Sequence, residues 1–255
     1  MNDKVQAIIE TLQDNQVLLP VGYTDEDGVL HRIVELTYMT GETEEAIADP
    51  KVRDNGGKIV TELLASVVTK IGTRPRVTKE MIRNLTVIDR DFLLLKSRQF
   101  SMGDEVEYVD TCRCGGKNEI HISIPKIECS YLDDEAPKEL TFELPNGYRD
   151  ANGTVHKKIT VVLPTGTVQE RIAQVMRTNP AIANTTMLQL ITKKLGTMDF
   201  INPDVFRKMS KKDRDFISTK IGEVKGGVSM STEVVCAECG RTFTTTIPLF
   251  SLLGE

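Results

Sequence analysis

The sequence has few aromatic residues: tryptophan is absent, and Phe and Tyr together make up 5% of the 255 residues. Proteins that bind single-stranded nucleic acid stack successive bases on aromatic side chains, so this scarcity argues against that class. Positive charge is not in excess either, because 37 Asp and Glu residues outnumber 32 Lys and Arg residues. A broad contact with nucleic acid needs a basic surface. We therefore expect no nucleic-acid partner.

Long apolar runs are also lacking. No stretch approaches the ~20 apolar residues that a membrane span requires. Residues 1–15, MNDKVQAIIETLQDN, do not have the basic-then-apolar pattern of a signal peptide. We expect no membrane partner, and a protein that acts in the cytoplasm of the cell that makes it. In that reducing compartment, closely spaced cysteines indicate metal ligands before they indicate disulfides.

Signatures of catalysis are absent too. The sequence contains no P-loop, no dinucleotide fingerprint, no G-x-S-x-G and no H-E-x-x-H. Asp-Arg-Asp-Phe at 89–92 and again at 213–216 could supply paired carboxylates. Capping of a helix start, together with Arg–Asp pairing, explains both copies without chemistry. We predict that the protein is not an enzyme, with no catalytic residues, no cofactor-binding residues other than metal ligands, and no small-molecule substrate.

The sequence does contain an internal repeat. The two Asp-Arg-Asp-Phe segments are 124 residues apart, as are Cys112 and Cys236, and further matches keep the same order at shifts of 124 or 125. Chance similarity between two domains of like composition is the alternative. We predict a tandem duplication, with an N-terminal amphipathic helix at 1–16, a first repeat at 17–127, an acidic connector at 128–141 and a second repeat at 142–255.

Both repeats have the same pattern of elements. A turn rich in Gly, Asp and Asn lies beside a β-rich run, which indicates a β-hairpin, and helical periodicity follows. Thr86-x-x-Asp89 and Ser210-x-x-Asp213 resemble capping boxes, so each Asp-Arg-Asp-Phe is placed in the first turn of a helix. Each repeat closes with a strand, a cysteine pair, Gly and another strand. The predicted fold class is therefore α+β, with two repeats related by a pseudo-two-fold and joined at their cysteine pairs.

The cysteine pairs have metal-ligand spacing. Cys236-Ala-Glu-Cys239-Gly240 has the form of a zinc knuckle, and Cys112-Arg-Cys114-Gly115-Gly116 is one residue shorter. A structural zinc site needs four ligands, and the two repeats supply two each. We predict that Cys112, Cys114, Cys236 and Cys239 bind one structural Zn²⁺. A disulfide-capable thiol cluster, two independent metal-free turns and iron–sulfur ligation remain alternatives.

Four other residues could bind metal or form hydrogen bonds, either because they lie near these pairs in the sequence or because they match across the repeat. His121 is a substitute ligand for the shorter knuckle, although strand alternation places it on a polar face. Cys129 has no counterpart in the second repeat and is expected to be a buried or neutral thiol. His31 and His156 match across the repeat, and structural hydrogen bonding is the expected role of both.

Several segments resemble one known family. Leu85–Lys96, then Phe100–Asp104, then a strand into Cys-x-Cys-Gly, are similar to the baseplate-hub assembly chaperones of T-even-like contractile-tailed phages. Cys236-x-x-Cys239-Gly-x-x-Phe243 with its strand is similar too, whereas Cys112-x-Cys114 departs from the C-P-x-C usual in that family.

The resemblance implies a non-enzymatic late protein that helps to build the central hub of the tail baseplate. Its partners would be phage baseplate hub or tail proteins, and it would act in the cytoplasm of the infected host or in the virion baseplate. Two alternatives remain from the residues themselves: a zinc-ribbon nucleic-acid-binding or regulatory protein, and a hydrolase with an open zinc position.

Overall fold

The computed structural model describes residues 3–74, 76–198 and 200–253. The elements of the first half are α1 (Asp3–Ile9), β1 (Gln16–Thr24), β2 (Leu30–Leu36), α2 (Gly41–Ala48), α3 (Gly56–Val67), β3 (Val68–Ile71), α4 (Lys79–Asn84), α5 (Val87–Met102), β4 (Glu105–Thr111), β5 (Lys117–Ser123), a 3₁₀ turn (Ile124–Lys126) and β6 (Cys129–Ser130). The second half contains β7 (Glu139–Arg149), β8 (Val155–Val162), α6 (Gly166–Thr178), α7 (Pro180–Ile191), β9 (Thr192–Leu195), α8 (Pro203–Lys208), α9 (Lys211–Gly222), β10 (Gly227–Val228), β11 (Ser231–Val235), β12 (Thr242–Thr246) and α10 (Leu249–Leu253).

Helices and small antiparallel sheets alternate along the chain, which confirms the α+β class. In the segment predicted as an N-terminal helix at 1–16, α1 covers Asp3–Ile9 and β1 begins at Gln16. None of the helices in the described ranges is long and apolar enough to cross a membrane.

Two three-stranded antiparallel sheets have the same order, β1-β2-β3 and β7-β8-β9. In both, the register shifts within the first strand, between Leu18 and Tyr23 in β1 and between Glu143 and Tyr148 in β7. In both, the third strand follows a helix directly: α3 ends at Val67 where β3 begins, and α7 ends at Ile191 where β9 begins. The two sheets therefore have the same local design.

The first aspartate of each Asp-Arg-Asp-Phe joins a helix start to the irregular part of the sheet. The Thr86 hydroxyl accepts a hydrogen bond from the Asp89 N–H at 3.1 Å, which caps α5. The Asp89 carboxylate accepts from the backbone N–H of Val21 at 2.8 Å and from that of Gly22. Ser210 caps α9 in the same way, and the Asp213 carboxylate accepts from the Asn146 N–H at 2.8 Å. The predicted capping is confirmed, and each carboxylate also holds a strand.

The Arg–Asp pairing expected at this motif is wrong for Arg90. Its guanidinium is fully buried and donates to the carbonyl oxygens of Ile82 and Gly57, at 3.0 and 2.9 Å, and to the Thr61 hydroxyl at 3.1 Å. It also donates to the Gln169 side chain in the second half, at 3.0 Å. The acceptors of the first half are buried groups that need a donor, so they compete successfully for the buried guanidinium.

The two matched histidines have the structural role that was expected. Nε2 of His31 is 2.8 Å from a carboxylate oxygen of Asp25, and Nε2 of His156 is 3.0 Å from Asp150. Both rings are buried. Each pair closes the turn that joins the first two strands of its sheet.

Each half of the chain has an apolar core, and C-terminal residues of the second half pack in the core of the first. The second core is built from residues between 140 and 221. The first core contains residues from β1 to β5, but it also contains Ile247 and Leu252, with Val228, Met230 and Leu249 packed against it. The segment from β10 to α10 thus packs on the first half, and this packing carries the second cysteine pair to the first.

Candidate metal centre

Two β-hairpins present the four clustered cysteines. Strands β4 and β5 pair up to Thr111 opposite Lys117, and β11 and β12 pair up to Val235 opposite Thr242. The first turn closes with the Cys112 N–H donating to the Gly116 oxygen at 2.9 Å. The second closes with the Cys236 N–H donating to the Arg241 oxygen, also at 2.9 Å. Both hairpin ends therefore have backbone bonds that fix the direction of their cysteines.

Glycine is needed in both turns. Gly115 has φ 95° and Gly240 has φ 69°, a region that favours residues without a side chain. Gly116 leaves room for the opposite turn, since a Cβ there would lie 3.1 Å from the Cys236 sulfur and crowd it. The shorter knuckle therefore approaches the longer one closely enough for its two thiols to join the cluster.

The four sulfur atoms lie within 4.8 Å of one another. Cys112 Sγ is 3.9 Å from Cys239 Sγ, and Cys114 Sγ is 3.7 Å from Cys236 Sγ. A regular tetrahedron around zinc, with Zn–S bonds of about 2.3 Å, has edges of about 3.8 Å. Sulfurs joined in a disulfide would be about 2 Å apart, so the cysteines are free thiols. The arrangement fits a four-coordinate metal, and both short distances join the two halves of the chain.

The electrostatic surroundings favour a thiolate at Cys236. Backbone N–H groups of Cys239 and Glu238 donate to its sulfur and, with the Asn118 amide, lower the pKa of Cys236 to about 6. At Cys114, the Gly116 N–H acts in the same direction, but contacts with the thiols of Cys239 and Cys236 outweigh it and raise the pKa to about 12. The thiolate is the form that binds metal. Four neighbouring thiols thus share their protons unevenly, and a divalent cation would take the place of those protons.

Asn118 is a further residue of the site that sequence reasoning missed. This buried side chain accepts a hydrogen bond from the Ala237 N–H at 2.9 Å and donates to the Gly116 oxygen at 3.0 Å. Its amide nitrogen is also 3.7 Å from the Cys236 sulfur. The alternation with Ile120 along β5 could have placed Asn118 on the inward face. No pattern in the sequence indicated that it would contact the opposite turn.

A second polar contact joins the two hairpins below the sulfur cluster. The buried Thr245 hydroxyl on β12 donates to the Asp110 carboxylate on β4 at 2.6 Å. The Tyr108 hydroxyl lies 3.3 Å from the same Thr245 oxygen. The hairpins are therefore held together by side chains as well as by the cysteines.

His121 and Cys129 lie outside the cluster of four cysteines. The His121 side chain is 60% exposed, and its Nδ1 is 3.0 Å from the Glu107 carboxylate on the neighbouring strand. Cys129 is partly buried on β6, where its thiol contacts the Ser130 oxygen, and burial raises its pKa. The four-cysteine set is the group of His, Cys, Asp and Glu side chains in the described ranges that is arranged for a metal ion.

Replacing Asn118 with alanine is expected to weaken metal binding by about 10- to 100-fold while leaving the four ligands in place. Residues that hold the ligands of a metal in position have effects of that size. Competition with a chromogenic chelator measures the affinity. His121→Ala on the same strand is the control, and its affinity should equal that of the unmodified chain. Equal affinities for all three proteins would show that Asn118 does not position the site.

One comparison with known proteins gives a match. The model of the family described as T4 bacteriophage base plate protein matches residues 32–182, more than half of the chain. That range contains the first cysteine pair and ends before the second. No curated protein and no solved structure matches the chain. The segments that resemble baseplate assembly proteins and the family match agree, and the chain belongs to the T4 bacteriophage base plate protein family.

Proposed function

We propose that this baseplate protein acts in the assembly of the central hub of the tail baseplate, through contacts with other hub or tail proteins and without catalysis. The observation that carries the proposal is the family match over residues 32–182. The resemblance of Leu85–Asp104 and of the cysteine segments to hub assembly proteins supports the narrower assignment to the hub. Its place of action would be the infected cell, the virion baseplate, or both in succession.

We also propose that Cys112, Cys114, Cys236 and Cys239 bind one Zn²⁺. The sulfur–sulfur distances of 3.7 and 3.9 Å support a tetrahedral ion, and an all-cysteine set is a common structural zinc site. Four protein ligands leave no open position for water, so the ion would have a structural role. It would hold the two hairpins, and thereby the two halves, together.

We further propose that the halves arose by tandem duplication, with units at 17–127 and 142–255, a connector at 128–141 and a separate N-terminal helix. Equal strand orders, equivalent register shifts and equivalent Asp–His pairs support it. The packing departs from these boundaries, because the segment from β10 to α10 completes the first core. A metal bound by cysteines of both repeats is consistent with this packing of the C-terminal segment on the first half.

Disruption of the gene in the phage that encodes this chain tests the hub assignment. We expect infected cells to accumulate baseplate intermediates without a completed hub, and a plasmid copy of the gene to restore them. Mass spectrometry of purified particles and of cleared lysate then separates two modes of action. Stoichiometric copies in particles indicate a structural component, and presence in lysate alone indicates a chaperone. Completed hubs at the usual yield without the chain would contradict the proposal.

A further inference from the structure

A groove of about 600 Å³ lies where the two halves meet. Helices α3 and α5 of the first half, α6 of the second half and the closing helix α10 all line it. Its lining is mainly apolar. Val60, Leu94 and Leu252 are themselves buried, whereas Ile172, Met176 and Leu249 are partly or largely exposed. Met176 is 44% exposed although it is apolar. The groove is therefore a concave apolar surface that is open to a partner.

A single carboxylate lies among these apolar side chains. Asp91 is the second aspartate of the first Asp-Arg-Asp-Phe, and it lines the groove between α3 and α6. Burial raises the pKa of Asp91 to about 6, while Arg90 acts weakly in the opposite direction. The Arg90 guanidinium is occupied by interior acceptors, and Arg177 at the rim forms no ion pair with Asp91. Within the described ranges, Asp91 has no hydrogen-bond or ion-pair partner.

The equivalent aspartate of the second repeat is exposed and ion-paired. Asp215 is 61% exposed and pairs with Lys211 at 2.6 Å, as an ordinary surface residue of a helix. Helix capping requires neither of these side chains, because Asp89 and Asp213 occupy the capping positions. The environment of Asp91 is thus specific to the groove, where a carboxylate that has lost part of its hydration gains no hydrogen bond or ion pair from the described part of the chain.

We propose that this groove binds an amphipathic segment of another baseplate protein, in which apolar side chains flank one Lys or Arg that pairs with Asp91. The inference rests on the proposed function, which requires such a protein partner. Charge complementarity selects the occupant: an apolar segment alone would bury Asp91 further without compensation, whereas a cation in the segment would form a shielded ion pair. An amphipathic helix laid in an apolar groove is a recurrent mode of recognition.

Overlapping peptides of about 15 residues, roughly four helical turns, test the proposal. They cover the other baseplate proteins of the phage that encodes this chain, and fluorescence anisotropy measures their affinities for the full chain. We expect the peptides that bind to share a Lys or Arg between apolar residues. Asp91→Asn should weaken binding about tenfold or more, and Asp215→Asn should leave it unchanged. Asp91→Lys should bind a peptide whose Lys or Arg is replaced by Glu.

Four results would overturn the proposal. The first is that no peptide binds, and the second is that Asp91→Asn binds as tightly as the unmodified chain. The third is that Asp91→Asn melts at a lower temperature than Asp215→Asn and that this difference disappears in an Arg177→Gln background, since Asp91 would then have an internal partner. The fourth is self-association of the unmodified chain that Asp91→Asn abolishes in sedimentation, since the occupant would be a second copy. If gene disruption blocks hub completion while no peptide binds, the hub function stands and the groove assignment fails.

Discussion

Replacing Cys236 with serine is expected to abolish tight metal binding and to lower the free energy of unfolding by about 4 kcal/mol, the stabilisation given by a ligand present at a thousandfold its dissociation constant. Cys236 is 1% exposed, and its sulfur is 3.7 Å from that of Cys114. Its loss leaves three cysteines on two hairpins, one ligand short of a closed four-cysteine site. The effect should extend to the first core, because the chain after β12 supplies Ile247 and Leu252 to it.

Elemental analysis, thiol counting and urea denaturation of the purified chain measure this effect. Under reducing, chelator-free conditions we expect one zinc per chain and four protected thiols in the unmodified protein. Cys129→Ser is the matched control, because Cys129 is partly buried outside the cluster. It should retain the metal and nearly all of the stability. An unmodified chain purified without metal, or equal losses in the two variants, would contradict the metal site.

Replacing Arg90 with alanine is expected to lower the free energy of unfolding by about 4 kcal/mol. Hydrogen bonds from a charged donor contribute about 1.5–3 kcal/mol each, and the acceptors that remain buried without a donor add a further cost. The buried acceptors are the carbonyl oxygens of Gly57 and Ile82 in the first half. The part-buried side chain of Gln169 in the second half loses its donor as well. The substitution therefore weakens the first core and the contact between halves together.

Arg214→Ala is the internal control for Arg90→Ala. Arg214 occupies the same position in the second Asp-Arg-Asp-Phe and donates to Asn184 and Thr185 at 2.9 and 3.0 Å. Its contacts are only partly buried, so water can replace the lost donor, and we expect a loss of about 1 kcal/mol. Urea denaturation followed by circular dichroism compares the two variants. Similar losses would show that the burial of Arg90 adds no stability.

The elements whose signals are local could be predicted from the sequence. Thr86 and Ser210 cap helices because a hydroxyl three residues before an N–H can reach it, whatever the rest of the fold does. The α+β class followed from equally local patterns. The approach of the four cysteines is a long-range feature, and it was predicted because the two pairs have metal-ligand spacing at matched positions of the sequence. The zinc and the duplication remain proposals that these patterns support.

Features that depend on distant parts of the chain could not be predicted. The Asp89 carboxylate contacts the N–H groups of Val21 and Gly22, almost 70 residues earlier, because the register shift in β1 leaves those donors free. Arg90 was expected to pair with a neighbouring carboxylate, but its acceptors are brought to it by α3, α4 and α6. Asn118 contacts Ala237 only after the two hairpins meet. The spacing of residues along the sequence does not indicate these long-range contacts.

During synthesis, the first half of the chain leaves the ribosome before the residues that finish its core. Leu93 lies in the same core as Leu252, and at about 5–20 residues per second the second follows the first by about 10–30 s. During that time the apolar side chains of α5 and its neighbours are only partly buried. Cys112 and Cys114 lack the other two cysteines of the cluster. The first core is therefore completed only after the second cysteine pair has been synthesised, and the proposed metal site can form only at that stage.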